Sequence, residues 1–103
     1  LDIKYLQTLV GEWSQGNFGD APSHLALIKV QEELGELAQH FIGRIEHRIG
    51  SKRVDHQEGL QDSVADIVIA LCVFCYREGI DLNEEIEKVW AEVSERTFDF
   101  QKG

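Results

Sequence analysis

Val64-Ala65-Asp66-Ile67-Val68-Ile69-Ala70-Leu71-Cys72-Val73-Phe74-Cys75-Tyr76 is a long apolar run with a single carboxylate set inside it. It shows neither the alternation of a half-exposed strand nor the one-sided stripe of a surface helix. Apolar all the way round, it reads as a helix enclosed on every side, in the middle of a bundle or across an interface between copies of the chain. The helix is predicted from about Gln57 to Arg77, with Gly79 closing it. Asp66 shares a face with Ile69 and Val73. An unpaired charge buried there costs several kcal/mol, so Asp66 is expected to be protonated, paired or bound to a metal. Asp62 lies four residues earlier, the spacing that stacks two side chains on one helix face.

Three more segments have helical periodicity. A helix from about Asp2 to Trp13 carries Ile3, Leu6, Leu9 and Val10 on one face and is expected to stop in the turn-rich Gly16-Asn17-Phe18-Gly19-Asp20. The next begins near Pro22-Ser23 and runs to about Ile49. Its wheel puts Leu27, Val30, Leu34, Leu37, Ala38, Phe41 and Ile45 in an apolar stripe, with Lys29, Glu33, Glu36, His40 and His47 opposite, so the stripe is expected to face the core. A last helix starts after Asp81, an N-cap with Glu84 three residues on, and carries Ile86, Val89, Trp90 and Val93. With one proline and no sustained alternation, the fold class is all-α: a single domain, residues 1–103, built as a four-helix bundle.

A formal net charge of −9 argues against binding nucleic acid or an anionic membrane surface, both of which need a positive field. An acidic chain that meets phosphates needs a cation in between. The run from Val64 to Tyr76 falls short of the ~20 residues that span a bilayer, so no membrane segment is expected, and the expected location is the cytoplasm. Cys72 and Cys75 make no disulfide framework, and without a preceding strand their spacing reads as core packing rather than a redox pair.

The second helix carries the other half of an acidic constellation. In Gln31-Glu32-Glu33-Leu34-Gly35-Glu36-Leu37 the glutamates are spaced i, i+3 and i, i+4, and alone they would read as a solvated face. Packed against Asp62 and Asp66 they would gather up to five carboxylates, which a hard divalent cation neutralises economically. A ferritin-like di-iron centre does not fit, because none of His24, His40, His47 or His56 has a glutamate three residues before it.

These residues resemble the motif of the all-α nucleoside triphosphate pyrophosphohydrolases of the MazG-like superfamily, written EExxE, a stretch, then ExxD. Glu32-Glu33-Leu34-Gly35-Glu36 matches the first half, and Asp66 matches the final Asp. Ser63 stands where the second half has its Glu, and Asp62-Ser63-Val64-Ala65-Asp66 resembles a variant with the acid four residues before the Asp. The resemblance covers most of the chain, including Gly79-Ile80-Asp81-Leu82 and the closing helix with Lys88 and Arg96. It implies a MazG-like four-helix bundle and a hydrolase that cuts a nucleoside triphosphate to a monophosphate and pyrophosphate with Mg²⁺, Mn²⁺ being the alternative metal. Completion by oligomerisation, as a homodimer or homotetramer, is expected because the all-apolar third helix asks for more cover than three other helices give. By resemblance Glu33, Glu36, Asp62 and Asp66 hold the metal and Glu32 orients or deprotonates the attacking water. Lys88 and Arg96 are phosphate-binding candidates on the same ground.

Lys29 joins them from the wheel, which sets it on the face of Glu33 and Glu36. A base could stack on Trp13 or Phe18, though Trp13 and Trp90 read first as core anchors. Arg44, His47, Arg48, Lys52 and Arg53 make the chain's basic patch. Two other readings stand beside the pyrophosphohydrolase. One is a non-catalytic helical module that binds a nucleotide or a protein, with Ser63 a trace of a dismantled site. The other is an enzyme acting on a related diphosphate, such as the phosphoribosyl-ATP step of histidine synthesis.

Overall fold

The computed structural model describes residues 2–46 and 56–96 and contains four helices: α1 (Ile3–Phe18), α2 (His24–Glu46), α3 (His56–Glu78) and α4 (Leu82–Val93). The all-α expectation holds, with no strand among the described residues. Asp2 caps α1, its carboxylate accepting from the Tyr5 amide at 2.7 Å. The helix runs through the turn-rich stretch to Phe18. Gly16 faces open space, and the Asn17 side chain, a potential breaker, donates to the Trp13 carbonyl one turn back instead. It ends at Gly19, whose φ of 59° is a left-handed conformation that favours glycine. Gly79 closes α3 at φ 69°, with the Ile80 amide reaching back to the Cys75 carbonyl, and Asp81 caps α4 by accepting from the Glu84 amide.

α3 is the central helix. α2 lies along it, α1 packs on it further up, and α4 leans on α1. The Gln7 side chain ties the α3–α4 corner to α1, donating to the Ile80 carbonyl and accepting from the Leu82 amide. α2 and α3 run antiparallel. The His40 ring sits over Gly59, the His56 ring over Gly43, and Ser23 Oγ donates to Glu78 at 3.0 Å. This register puts Glu33 at about the height of Asp66, and Glu36 at about that of Ser63.

The buried positions are occupied by small residues: Gly11, Ser14, Ala26, Ser63, Ala70, Cys72 and Cys75, with Glu33 among them. One expectation is overturned here. The apolar stripe of α2 does not face the core, since Leu27, Leu34 and Phe41 are exposed, Leu34 by 56%, while Glu33 from the supposed solvent side is buried. In the single chain Val64, Val68 and Ile69 of α3 are open, so the chain by itself does not enclose that helix. The physical reason is shared. α2 meets α3 along the narrow face of Ala26, Glu33, His40 and Gly43, where small side chains allow close approach, and the bulky face is left without a partner. Trp90, read as a core anchor, is 64% exposed. α3 is long enough to cross a membrane and contains an 18-residue window of mean hydropathy 1.5, although the run from Val64 to Tyr76 alone is too short.

Candidate functional site

Where the upper halves of α1, α2 and α3 meet, they enclose a cavity of about 460 Å³. Its apolar walls come from Trp13 and Phe18 of α1, Leu25 and Ala26 of α2, and Ile69, Ala70 and Val73 of α3. Trp13 and Phe18 stand edge to face, 5.8 Å between centroids and 83° between planes, so each holds the other's ring in place at the mouth. The charged lining is Lys29, Asp66 and Arg77.

Arg77 was not singled out from sequence, and it organises the upper wall. Its Nη1 donates to the carbonyls of Gly19 and Ala21 at 2.9 and 2.8 Å, and its Nη2 to Ser14 Oγ at 2.9 Å. One guanidinium thereby pins the α1–α2 connection, and with it Phe18, against α3. Ser14, almost fully buried, is the matching small residue on α1. Arg77 is an arginine in the last turn of an apolar helix, and sequence alone gives it no partner.

Below the cavity along α2 comes the acidic cluster. Lys29 Nζ lies 2.9 Å from Glu33 Oε1 and 3.9 Å from Glu32. Its hydrogen bond to Glu33, reinforced by the charges of Glu33, Glu32 and Glu36, holds the ammonium above the usual lysine range. Glu33 is only 4% exposed, and its second oxygen, Oε2, is buried with no hydrogen-bond partner. A buried carboxylate oxygen left unmatched is costly and rare in a native protein, so it marks a place where a further cation or donor is accommodated.

The acids are therefore arranged differently from the expectation. Asp66 borders the cavity but is exposed, so the burial argument made for it belongs to Glu33. Glu32, Glu36 and Asp62 are exposed as well, and among the described residues no three His, Cys, Asp or Glu side chains converge into a metal-holding group. Ser63, in the position of the expected glutamate, is buried. Gly35, which with no side chain would let a neighbouring backbone approach closely, faces open space.

Trp13 and Lys29 are brought to the cavity; Lys88 and Arg96, both exposed, line no described cavity. Of the basic patch, Arg44 is placed, stacked 5.3 Å over the Phe41 ring and bonded to Gln57. His47, Arg48, Lys52 and Arg53 lie outside the described residues. His40, read as a solvated residue, is half-buried and meets His56 across the α2–α3 interface. Cys72 and Cys75 are free and buried; burial pushes both thiols up, Cys72 further raised by Cys75, which suits packing and not redox exchange. No protein-family model, curated protein or solved structure matches the chain.

Proposed function

We propose that this chain is a Mg²⁺-dependent nucleoside triphosphate pyrophosphohydrolase of the MazG-like kind, releasing a nucleoside monophosphate and pyrophosphate. The observation that carries the reading is Glu33: a buried carboxylate with one oxygen on Lys29 and the other unmatched, flanked by Glu32 and Glu36 and level with Asp66. Mg²⁺ is commonly held by one or two carboxylates together with water and substrate phosphates, so a closed protein cage is not required. Glu33, Glu36, Asp66 and Asp62 are the residues that would hold it. When bound, the ion would supply charge neutralisation to the polyphosphate.

The chain's own residues do the rest. Trp13 and Phe18 offer flat faces to a base inside the apolar cavity, and Lys29 at its lower edge is placed between base and acids to meet a phosphate. Glu32, exposed beside Lys29, is free to accept a proton from the attacking water. The open stripes of α2 and α3, with a groove of about 480 Å³ lined by Leu34, Leu37, Ala38, Phe41, Arg44 and Leu60, support a homodimer or homotetramer. A second copy over these stripes would enclose α3 as its composition demands, in a cytoplasmic protein.

One observation favours the non-catalytic module instead: Lys29 already supplies a cation to Glu33. Incubation with a panel of nucleoside triphosphates and Mg²⁺, with pyrophosphate as the readout, separates the two. Glu33→Gln and Asp66→Asn should each lower release by on the order of a hundredfold or more. Release of orthophosphate would move the cleavage position, and no release from any nucleotide would leave the binding module.

A further inference from the structure

Two histidines from different helices meet at the lower end of the α2–α3 interface. His40 Nδ1 and His56 Nδ1 are 3.2 Å apart, and the ring centroids 5.5 Å apart, with the planes tilted by 58°. The centroid separation equals the nitrogen separation plus the two ring radii, so centre, nitrogen, nitrogen and centre fall on one line. The lone pairs therefore point at each other, as in an N–H···N hydrogen bond. Two nitrogens sharing a tetrahedral zinc at about 2.0–2.1 Å would instead turn both rings toward a point off that line. The rings are seated reciprocally: a Cβ on Gly59 would lie 2.4 Å from His40 Cε1, and one on Gly43 would lie 2.7 Å from His56 Cε1. Both positions need glycine for the pair to form.

We propose that His40 and His56 form a proton-dependent latch that sets the height of the α2 acids against those of α3, as positioning residues for the Glu33–Asp66 site. The second half rests on the metal-site reading above. With no proton or one proton between them, one ring donates and the other accepts, and the singly charged pair is the stronger bond. A second proton sets two N–H groups head to head with no acceptor, and the bond is lost. His40 lies one turn beyond Glu36 on the same face of α2, so release of the latch loosens the segment that carries the acids. Among the described residues, the charged side chains nearest the pair along each helix are Glu36 and Arg44 on α2, and Glu58 and Asp62 on α3; α1 and α4 pack at the other end. Because the doubly protonated pair has no acceptor, the latch weakens as pH falls, by at most about tenfold in opening equilibrium per pH unit.

The test is hydrogen-exchange protection of the amides of residues 60–64 in the full chain without metal, between pH 7.5 and 5.5 and corrected for intrinsic rates. Wild type should lose about tenfold in protection across this range. His56→Asn, whose amide can hydrogen-bond near the Nδ1 position without titrating, should be nearly flat, and Gly59→Ala, which displaces the His40 ring, should be open at both ends. The same pH slope in wild type and His56→Asn, or tight protection in Gly59→Ala, overturns the latch. Mg²⁺ titration of the same proteins reads the second half. Wild type should bind more weakly at pH 5.5 and His56→Asn should hold its affinity better. An exchange profile as expected with no Mg²⁺ binding at either pH would keep the latch and remove the metal site alone.

Discussion

At the scale of single residues, the informative acid is Glu33 and not Asp66. Sequence placed the unmatched charge correctly in kind and wrongly in position. An aspartate among valines and isoleucines looks enclosed, and the structure opens its side of α3. A glutamate among glutamates looks solvated, and the close approach of α2 to α3 buries it. Which carboxylate loses its water depends on helix rotation, which a wheel describes only up to the choice of packed face. The Lys29–Glu33 pair yields a signed prediction. Lys29→Met leaves Glu33 buried without a counter-charge, so the denaturation midpoint should fall at pH 7, and Glu33→Gln in the same background should restore most of it. Because pairing raises the lysine, its contribution is complete below the ordinary value of 10.5 and is lost as pH rises through its higher folded value. The difference in urea stability between wild type and Lys29→Met should therefore be flat from neutral pH to about 10. A difference that shrinks between pH 7 and 9 would show that the pair does not form.

At the scale of the helices, the sequence was legible where local chemistry decides and opaque where neighbours do. Asp2 and Asp81 cap, and Gly79 terminates, as their chemistry requires, because these choices involve only a few adjacent residues. The turn signals at the end of α1 misled, since glycine and asparagine disfavour a helix only mildly and Phe18 gains a partner in Trp13 if the helix continues. The close approach of α1 to the Tyr76 ring of α3 depends on Gly11. A Cβ on Gly11 would lie 2.0 Å from Tyr76 Cδ2, a clash with the body of the ring. Gly11→Ala should lower unfolding free energy by about 1–3 kcal/mol in urea titration, despite the higher helix propensity of alanine. A neutral or stabilising result would mean that the Tyr76 ring swings aside without loss.

At the scale of the whole molecule, the protomer is open. Its radius of gyration of 17.4 Å exceeds the about 13 Å of an ordinary 100-residue domain, and much of its bulky apolar surface faces outward. The apolar third helix is plain in the sequence, but patterning cannot say whether its cover comes from within the chain or from another copy. Leu34→Asp with Phe41→Asp should lower the sedimentation coefficient to that of a single chain while leaving the helical circular dichroism signal per residue nearly unchanged. An unchanged coefficient would place the contact between copies elsewhere. The clasp of Arg77 bears on how such a molecule can change. Because its donors reach the main-chain carbonyls of Gly19 and Ala21, the rim of the cavity is held by backbone and not by the identity of the loop's side chains. Substitutions in that loop can then alter what the cavity admits without letting go of its frame, which separates the evolution of selectivity from the upkeep of the fold.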